Sequence, residues 1–401
     1  MAANLISPEA VAEILNTFES TVGHVLIDVR GTRGPPSIPG FFHVPLDKLS
    51  KRHFRSILPG NTARVIITCG SGGKASRAFN KAVNELSIPA DRIHLLEGGF
   101  NAWQTSGKPT VDAPQPFVHL FYEQGSGTCC FVVIDEMTSK CVVIDPVLNY
   151  EISSGKVSYE FADSLLEFLQ ENQLDVTHIL ESHVHADHIT AAAYMKLKLP
   201  GNPPICIGEG IVRVQENVRK MLSLSEAETS PKFFDMLLKD NQTFPIGSLE
   251  CKVISTGGHT PDSVSYCIGD SIFCGDSVFY PDVGSARCDF PEGSAATLYQ
   301  SVQKLYRFPD GFKLFSGHDY PPDTRPEAMF TTIGQSKTAN KQLNASTKLD
   351  EFISWRNGRD AGLNVPKLLY PSLIFNVKAG RPPLDGFVKV PLKFIAAFPK
   401  I

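Results

Sequence analysis

Three histidines and an aspartate fall within six residues at His183-Val184-His185-Ala186-Asp187-His188. They directly follow VTHILES, an apolar run that reads as a strand. A strand that stops abruptly presents its next residues as a fan at the sheet edge, with i and i+2 pointing into one pocket. Aspartate is a hard oxygen donor and histidine nitrogen a borderline one, a mixture that suits first-row transition metals. Three more polar residues stand past apolar runs: His259 after LECKVISTGG, Asp276 after SIFCG and His318 after FKLFSG. One such histidine alone reads as a capped loop residue. The cluster followed in order by the other three reads as a metal centre.

The elements that must position these residues fall into two parts, as the length of 401 residues leads one to expect. In the front part, helical periodicity in PEAVAEILNTF precedes the run HVLIDVR. RVIITC then leads into the helical KASRAFNKAVNEL, followed by IHLLEG and a helix-like NAW. Strands alternating with helices predict a parallel sheet covered on both faces. KPTVDAPQP, with three prolines, breaks the periodicity and reads as an interdomain linker. The boundaries are therefore residues 1–110, a linker at 111–116 and a second domain at 117–401.

The second part opens on strands FVHLFY, CCFVVID and KCVVIDP, with the helix FADSLLEFLQEN before VTHILES. Ile211 to Lys239 reads as helical and charged, and strands return at LECKVIST, SVSYCIG, SIFCG and FKLFSG. STKLDEFISWRNGRD reads as a helix, SLIFNVKAG as a strand, and the end as a proline-rich tail. Mixed strands with intervening helices predict a layered α/β sandwich.

The formal net charge is −4, which leaves no basic footprint for nucleic acid or anionic lipid. No apolar run approaches the ~20 residues that span a bilayer. The N-terminal stretch lacks the basic and apolar regions of a secretory signal, and Glu9 and Glu13 argue against a mitochondrial presequence. The expected location is cytoplasmic, or the mitochondrial matrix if a presequence has been removed. Nine cysteines, an odd number without C-x-x-C spacing, argue against a disulfide framework and a structural zinc site. Most read as small buried hydrophobes, with Cys69 and Cys288 set apart.

The rear segment, from about Phe117 onward, resembles the metallo-β-lactamase superfamily, which carries HVHADH followed by a distant His, Asp and His. STGGHTPDSVSY, SARCDF and SGHDYPP are similar to its persulfide dioxygenase branch. The resemblance implies an αββα sandwich and one Fe(II) per chain held by His183, His259 and Asp276. These make a 2-His-1-carboxylate triad with positions open for oxygen chemistry. His185, Asp187, His188 and His318 would orient those ligands and hold water. Thr260, Arg287 and Tyr320 match positions that grip a glutathione persulfide, with Arg287 forking onto a carboxylate. Lys337 stands where the family often has an arginine.

The front segment, from about Leu5 to Pro109, resembles a single-domain rhodanese through LIDVR, HVPLDKL, VIITCGSGGKAS and LEGGFNAWQTSGKP. Cys69 lies between a strand and a helix beginning near Lys74. Gly70, Gly72 and Gly73 let the loop curl, so that backbone N–H groups and the helix start would stabilise an anionic persulfide. Cys69 would take a sulfane sulfur from thiosulfate or a similar donor and pass it to a thiol. Lys74 replaces the usual arginine, and Gly70 a bulkier residue, so a docking-only domain is the alternative reading. Asp28 and Arg30 read as loop-fixing residues.

The expected function is oxidation of a glutathione-type persulfide with O2 to sulfite and free thiol, coupled to sulfur transfer through Cys69. A two-zinc hydroxyacylglutathione hydrolase uses the same seven metal-site residues and stays open, as do a β-lactam hydrolase and a sulfide-sensing scaffold with inactive sites. A homodimer is one arrangement the sequence allows.

Overall fold

The computed structural model describes residues 3–31, 36–55, 64–383, 386 and 388. The end of the proline-rich tail lies outside them.

The front part is a five-stranded parallel sheet. Its order is Asn4–Ile6, Ile93–Leu96, Arg64–Thr68, His24–Asp28, Phe42–His43. Strand side chains alternate between two apolar clusters. Val65 and Ile67 pack with Ala75, Ala78 and Phe79 of the helix Gly73–Asn84. Ile66 packs with Val11 of the helix Pro8–Asn16 and with Trp103. Helices thus cover both faces, as a parallel sheet requires.

The rear part holds two six-stranded sheets. The first runs Met236–Leu238, Ile205–Gly208, Asp175–Leu180, Lys140–Ile144, Thr128–Asp135, Phe117–Glu123. The second runs Thr243–Ile246, Leu249–Ser255, Val264–Ile268, Ser271–Phe273, Lys313–Phe315, Thr331–Thr332. Phe131 of the first sheet meets Phe273 and Phe315 of the second at ring-centroid distances of 5.2 and 5.5 Å. The opposite face of the second sheet, with Ile254, Ile272 and Leu314, packs on the helices Ala295–Leu305 and Leu349–Asp360. Helix Glu160–Glu171 places Ala162, Leu165 and Leu169 in the core of the first. This is an αββα sandwich behind a smaller α/β domain.

The proline segment between them is packed, not free. Val111 exchanges backbone hydrogen bonds with Ser37, and Gln115 donates to the Ile38 carbonyl and to Asp270. The fully buried Lys313 ammonium binds Asp270 and the Phe41 carbonyl. Phe42 packs edge-on against Phe117 and Phe330. Arg52 sets its guanidinium on both Glu136 oxygens at 2.6 and 2.7 Å, and His53 joins at 3.2 Å. Among the described residues no helix is long and apolar enough to cross a membrane, and all nine cysteines are free thiols.

Two sequence expectations fail. Residues 211–239 are not one helical stretch: the helix stops at Leu222, and Met236–Leu238 is an edge strand. The stop follows from Ser223 turning left-handed at φ 52°, after which two single 3-10 turns replace the helix. SLIFNVKAG is not a strand: SLIFN ends the helix Leu369–Asn376, and VKAG forms the turn that follows. Leu373, Ile374 and Phe375 are all buried, and an apolar run without period does not distinguish a buried helix from a strand. Pro371, in the first turn, carries the backbone angle a helix start accepts.

Candidate metal centre

The HVHADH loop leaves the strand Asp175–Leu180 and is pinned from several directions. The Ser182 N–H donates to Asp145 (2.7 Å), the Val184 N–H to Asp262 (2.8 Å), and the Tyr266 hydroxyl to the Glu181 carbonyl (2.7 Å). Asn376 closes the far side, donating to the carbonyls of His185 (2.9 Å) and His188 (2.8 Å) while accepting from the Thr190 N–H.

The later residues each follow a glycine. Gly258, at φ 132°, lies so close to the helix Ala295–Leu305 that a Cβ would fall 2.3 Å from the Leu298 nitrogen. Gly275, at φ 48°, would place a Cβ 2.5 Å from Ser182 Oγ. A side chain at Gly317 would sit 2.7 Å from Asp276 Oδ1. Bare backbone at these points lets three strand ends converge.

They converge on one spot. Ligand atoms of His183, His259 and Asp276 lie within 4.8 Å of one another. Asp276 Oδ2 is 4.0 Å from His183 Nε2, 3.7 Å from His259 Nε2 and 3.6 Å from His318 Nε2. His259 Nδ1 faces the Arg287 carbonyl at 2.7 Å, and His318 Nδ1 the Gly127 carbonyl at 3.1 Å. A carbonyl only accepts, so both Nδ1 atoms carry protons. For His259 this leaves Nε2 as a lone pair aimed at the cluster. His183 Nδ1 is held by Ser182 Oγ at 2.9 Å.

A second group, His185, Asp187 and His188, also falls within 4.8 Å. Here Asp187 Oδ2 is engaged by His188 Nδ1 and His318 Nε2, both at 3.2 Å, and by Thr128 Oγ1 at 3.3 Å. Asp145, Glu181 and His185 form a third group. His185 Nε2 lies 3.1 Å from Asp145 and 3.5 Å from Glu181.

Buried polar atoms without a partner cost free energy. His183 Nε2, His185 Nδ1, His188 Nε2 and Asp276 Oδ1 are buried and have no hydrogen-bond partner. Nitrogens and a carboxylate oxygen aimed inward and bonded to nothing fit a bound metal ion. Burial, reinforced by His185 and His259, holds the His183 ring well below the usual imidazole range, in the neutral form that ligation needs. Burial opposes the Asp187 charge, yet His318 and His188 hold its carboxyl well below the usual range. Burial pushes Glu181 up to about 7.

A cleft of about 320 Å³ opens onto His259, Asp276 and His318. Phe279, Phe290 and Tyr320 line it, together with Arg287, the buried Arg356 and the exposed Arg359. The His318 ring stacks on Tyr320 at 5.3 Å and His259 meets Phe290 edge-on at 5.1 Å.

The residues expected to grip a thiol fare unevenly. Tyr320 and Arg287 line the cleft. However, the Arg287 fork already rests on Asp289 (2.6 Å to each oxygen) and on the Asn364 carbonyl. Thr260 does not line it. Its hydroxyl bonds Ser263 at 2.6 Å, and it borders an apolar crevice with Val184, Val214 and Val218. Lys337 is also absent from the cleft: it sits in the helix Ile333–Ala339, paired with Asp310. Sequence reading missed Arg356, Arg359 and Asn376. The two arginines stand three apart in RNGRD, a spacing that puts them on one helix face. Arg356 is buried against Asp360 and the Ser285 carbonyl. Cys288 faces the apolar cluster behind the cleft, where burial pushes its thiol up to about 12.

In the front domain Cys69 is nearly buried after the strand Arg64–Thr68. The N–H groups of Gly72 and Ala75 point at its Sγ from 3.1 and 3.3 Å. Gly70, Gly72 (φ 106°) and Gly73 make the turn into the helix Gly73–Asn84. The Lys74 ammonium lies against Gly31, where a Cβ would come within 2.7 Å. Asp28 binds Arg30 at 2.7 Å, and Arg30 binds the Pro36 carbonyl.

The metallo-beta-lactamase superfamily model matches residues 123–318, and the rhodanese-like domain model residues 7–106. "Glyoxylase B2" of Dictyostelium discoideum is 44% identical over 285 residues, 69% of this chain and 97% of that protein. "Persulfide dioxygenase ETHE1, mitochondrial" of Homo sapiens is 28% identical over 61% of this chain and 81% of its own. The crystal structure of ETHE1 from Myxococcus xanthus superposes with a TM-score of 0.53 at 28% identity, covering 66% of this chain and all of that one. The chain belongs to the metallo-β-lactamase superfamily and carries a rhodanese-like domain in front of that fold.

Proposed function

We propose that the rear domain is a persulfide dioxygenase and the front domain a sulfurtransferase that works on the same sulfur. The overall reaction takes a glutathione-type persulfide, O2 and water to the free thiol and sulfite. The observation that carries this reading is the trio His183, His259 and Asp276, whose ligand atoms meet where His259 and Asp276 open onto a cleft lined by aromatic rings and arginines. Iron(II) held by two histidines and one carboxylate would supply the centre at which O2 is activated. The likeness to ETHE1 in sequence and in structure supports the same reading.

The chain's own groups divide the remaining work. The Arg287 carbonyl sets the tautomer of His259. Phe279, Phe290 and Tyr320 shield the reacting sulfur from water. The exposed Arg359 at the mouth is the cation placed to hold an anionic carrier thiol with its sulfur pointing inward. In front, the Cys69 thiolate attacks the outer sulfur of thiosulfate, the S–S bond breaks and sulfite leaves. The N–H groups of Gly72 and Ala75 stabilise the resulting persulfide anion until a thiol takes its terminal sulfur.

A two-metal hydrolase is the second reading, favoured by the group His185, Asp187 and His188. Against it, the Asp187 carboxylate is taken up by protein donors, whereas Asp276 Oδ1 has none. Elemental analysis of protein purified without oxygen, with O2 uptake on glutathione persulfide, separates the two. One iron per chain with O2 uptake is expected. Two zincs and no O2 uptake would overturn the dioxygenase.

A further inference from the structure

The residues that line the cleft are backed from behind by a side chain of the other domain. Phe18, in the short front helix Phe18–Thr21, is fully buried, and its ring stacks on Tyr280 at 5.5 Å with planes 22° apart. The Arg325 guanidinium lies over the other part of this contact, 5.2 Å from the Phe18 ring. Arg325 reaches two carboxylates at once, Asp282 at 2.6 and 3.0 Å and Asp319 at 2.8 Å twice.

These partners are the neighbours of cleft residues. Asp319 lies between His318 and Tyr320, both of which line the cleft. Tyr280 follows Phe279 and accepts the Val283 N–H at 2.8 Å, and Phe279 and Val283 also line it. The Phe279 ring meets Tyr320 at 6.0 Å and His318 at 6.3 Å. Tyr280 is itself tied down through its hydroxyl to the Met329 carbonyl, and Asp319 through the Ala328 N–H. One front-domain ring therefore backs both strips of chain that carry the cleft wall.

We infer that Phe18 and Arg325 are positioning residues for the rear reaction, so that the rhodanese-like domain is part of the oxidising site's frame. This rests on the reading of the cleft as a persulfide site. Without the ring, Arg325 loses its apolar seat and Tyr280 its stacking partner. The wall of Phe279, Val283 and Tyr320 then loosens, while His183 and His259 stand on other strand ends and stay in place, and Asp276 is kept by its neighbour Ser277, which donates to the Cys274 carbonyl at 3.0 Å and the Thr256 carbonyl at 3.3 Å.

Phe18→Ala and Arg325→Lys are made in the full-length chain, with Phe42→Ala as a control. Phe42 is an equally buried ring at the same interface but packs on Phe117 and Phe330. Both test variants should keep the wild-type metal content. KM for glutathione persulfide should rise about tenfold with kcat nearly unchanged, the size of coupling that packed networks carry. Phe42→Ala should lower stability without moving KM. Calorimetric binding of glutathione itself to metal-loaded protein should weaken in parallel in the two test variants. If Phe18→Ala does not fold, Arg325→Lys decides alone, because it keeps the charge and loses only the fork. Wild-type KM and glutathione affinity in the metal-loaded test variants would overturn the inference. A wild-type enzyme with no O2 uptake would instead overturn the reading it rests on.

Discussion

The two candidate sites solve placement in opposite ways. The front site is local: strand end, Cys69, glycine turn and helix start follow one another, and the sulfur's donors come from Gly72 and Ala75 in that same stretch. The rear site is distributed: its ligand atoms come from His183, His259 and Asp276, and their supports from as far away as Asn376. A local site is written into consecutive residues and depends on backbone conformation. A distributed one depends on topology and on every element that brings the strand ends together.

The sharpest way to break this comparison is reciprocal deletion. Asp276→Ala removes the carboxylate of the triad, and metal content and O2 uptake should fall by more than the ~10–100-fold that loss of an outer ligand partner costs. Sulfur transfer from thiosulfate should continue in that variant. Cys69→Ser should abolish sulfur transfer and leave O2 uptake on ready-made glutathione persulfide. Assaying both activities on both variants checks the division. Loss of both activities in either one would mean that the centres share chemistry. A smaller effect belongs to His185, whose Nε2 leans on Asp145 and Glu181. His185→Ala should reduce activity by roughly 10–100-fold with metal still bound, as read by metal analysis beside the assay.

How much of this was legible follows the same divide. The Cys69 loop could be read directly, because its parts are neighbours in sequence. The metal residues could be read because each stands after an apolar run that ends a strand. The thiol grip could not. Lys337 was assigned by its position after HDY, but its helix points that ammonium at Asp310. Arg356 and Arg359 went unnoticed because a charged helix face looks like any solvated one until tertiary packing aims it at a cleft. Asn376 was hidden inside an apolar run misread as a strand, and no local signal ties it to a loop 191 residues away.

The smallest expected effect concerns the clamp between the regions. Burial holds His53 below its usual value of 6.5. Burial raises the Glu136 carboxyl, but His53 and Arg52 win and hold it below 4.5. For both groups the unfolded chain binds protons more readily than the folded one. The clamp therefore contributes fully at neutral pH. It weakens as pH falls below 6.5, where His53 protonates in the unfolded chain, and again below 4.5 for Glu136. Urea unfolding from neutral pH to pH 4 should show stability falling through both windows. Glu136→Gln should flatten the lower part of that slope. An unchanged slope would place the acid sensitivity elsewhere.

The glycines ahead of His259, Asp276 and His318 limit how this centre can be altered. A methyl group would meet the Leu298 main chain at Gly258, the Ser182 side chain at Gly275, and the Asp276 carboxylate and the Gly275 main chain at Gly317. A saturation library across the cleft should therefore look like a comb, intolerant at each glycine–ligand pair and permissive at the exposed positions of the mouth. Efforts to move the centre toward another metal by widening its floor would have to shift backbone, whereas the mouth of the cleft can change by single substitutions. Selectivity for the substrate and selectivity for the metal are thus free to evolve at very different rates within one cleft.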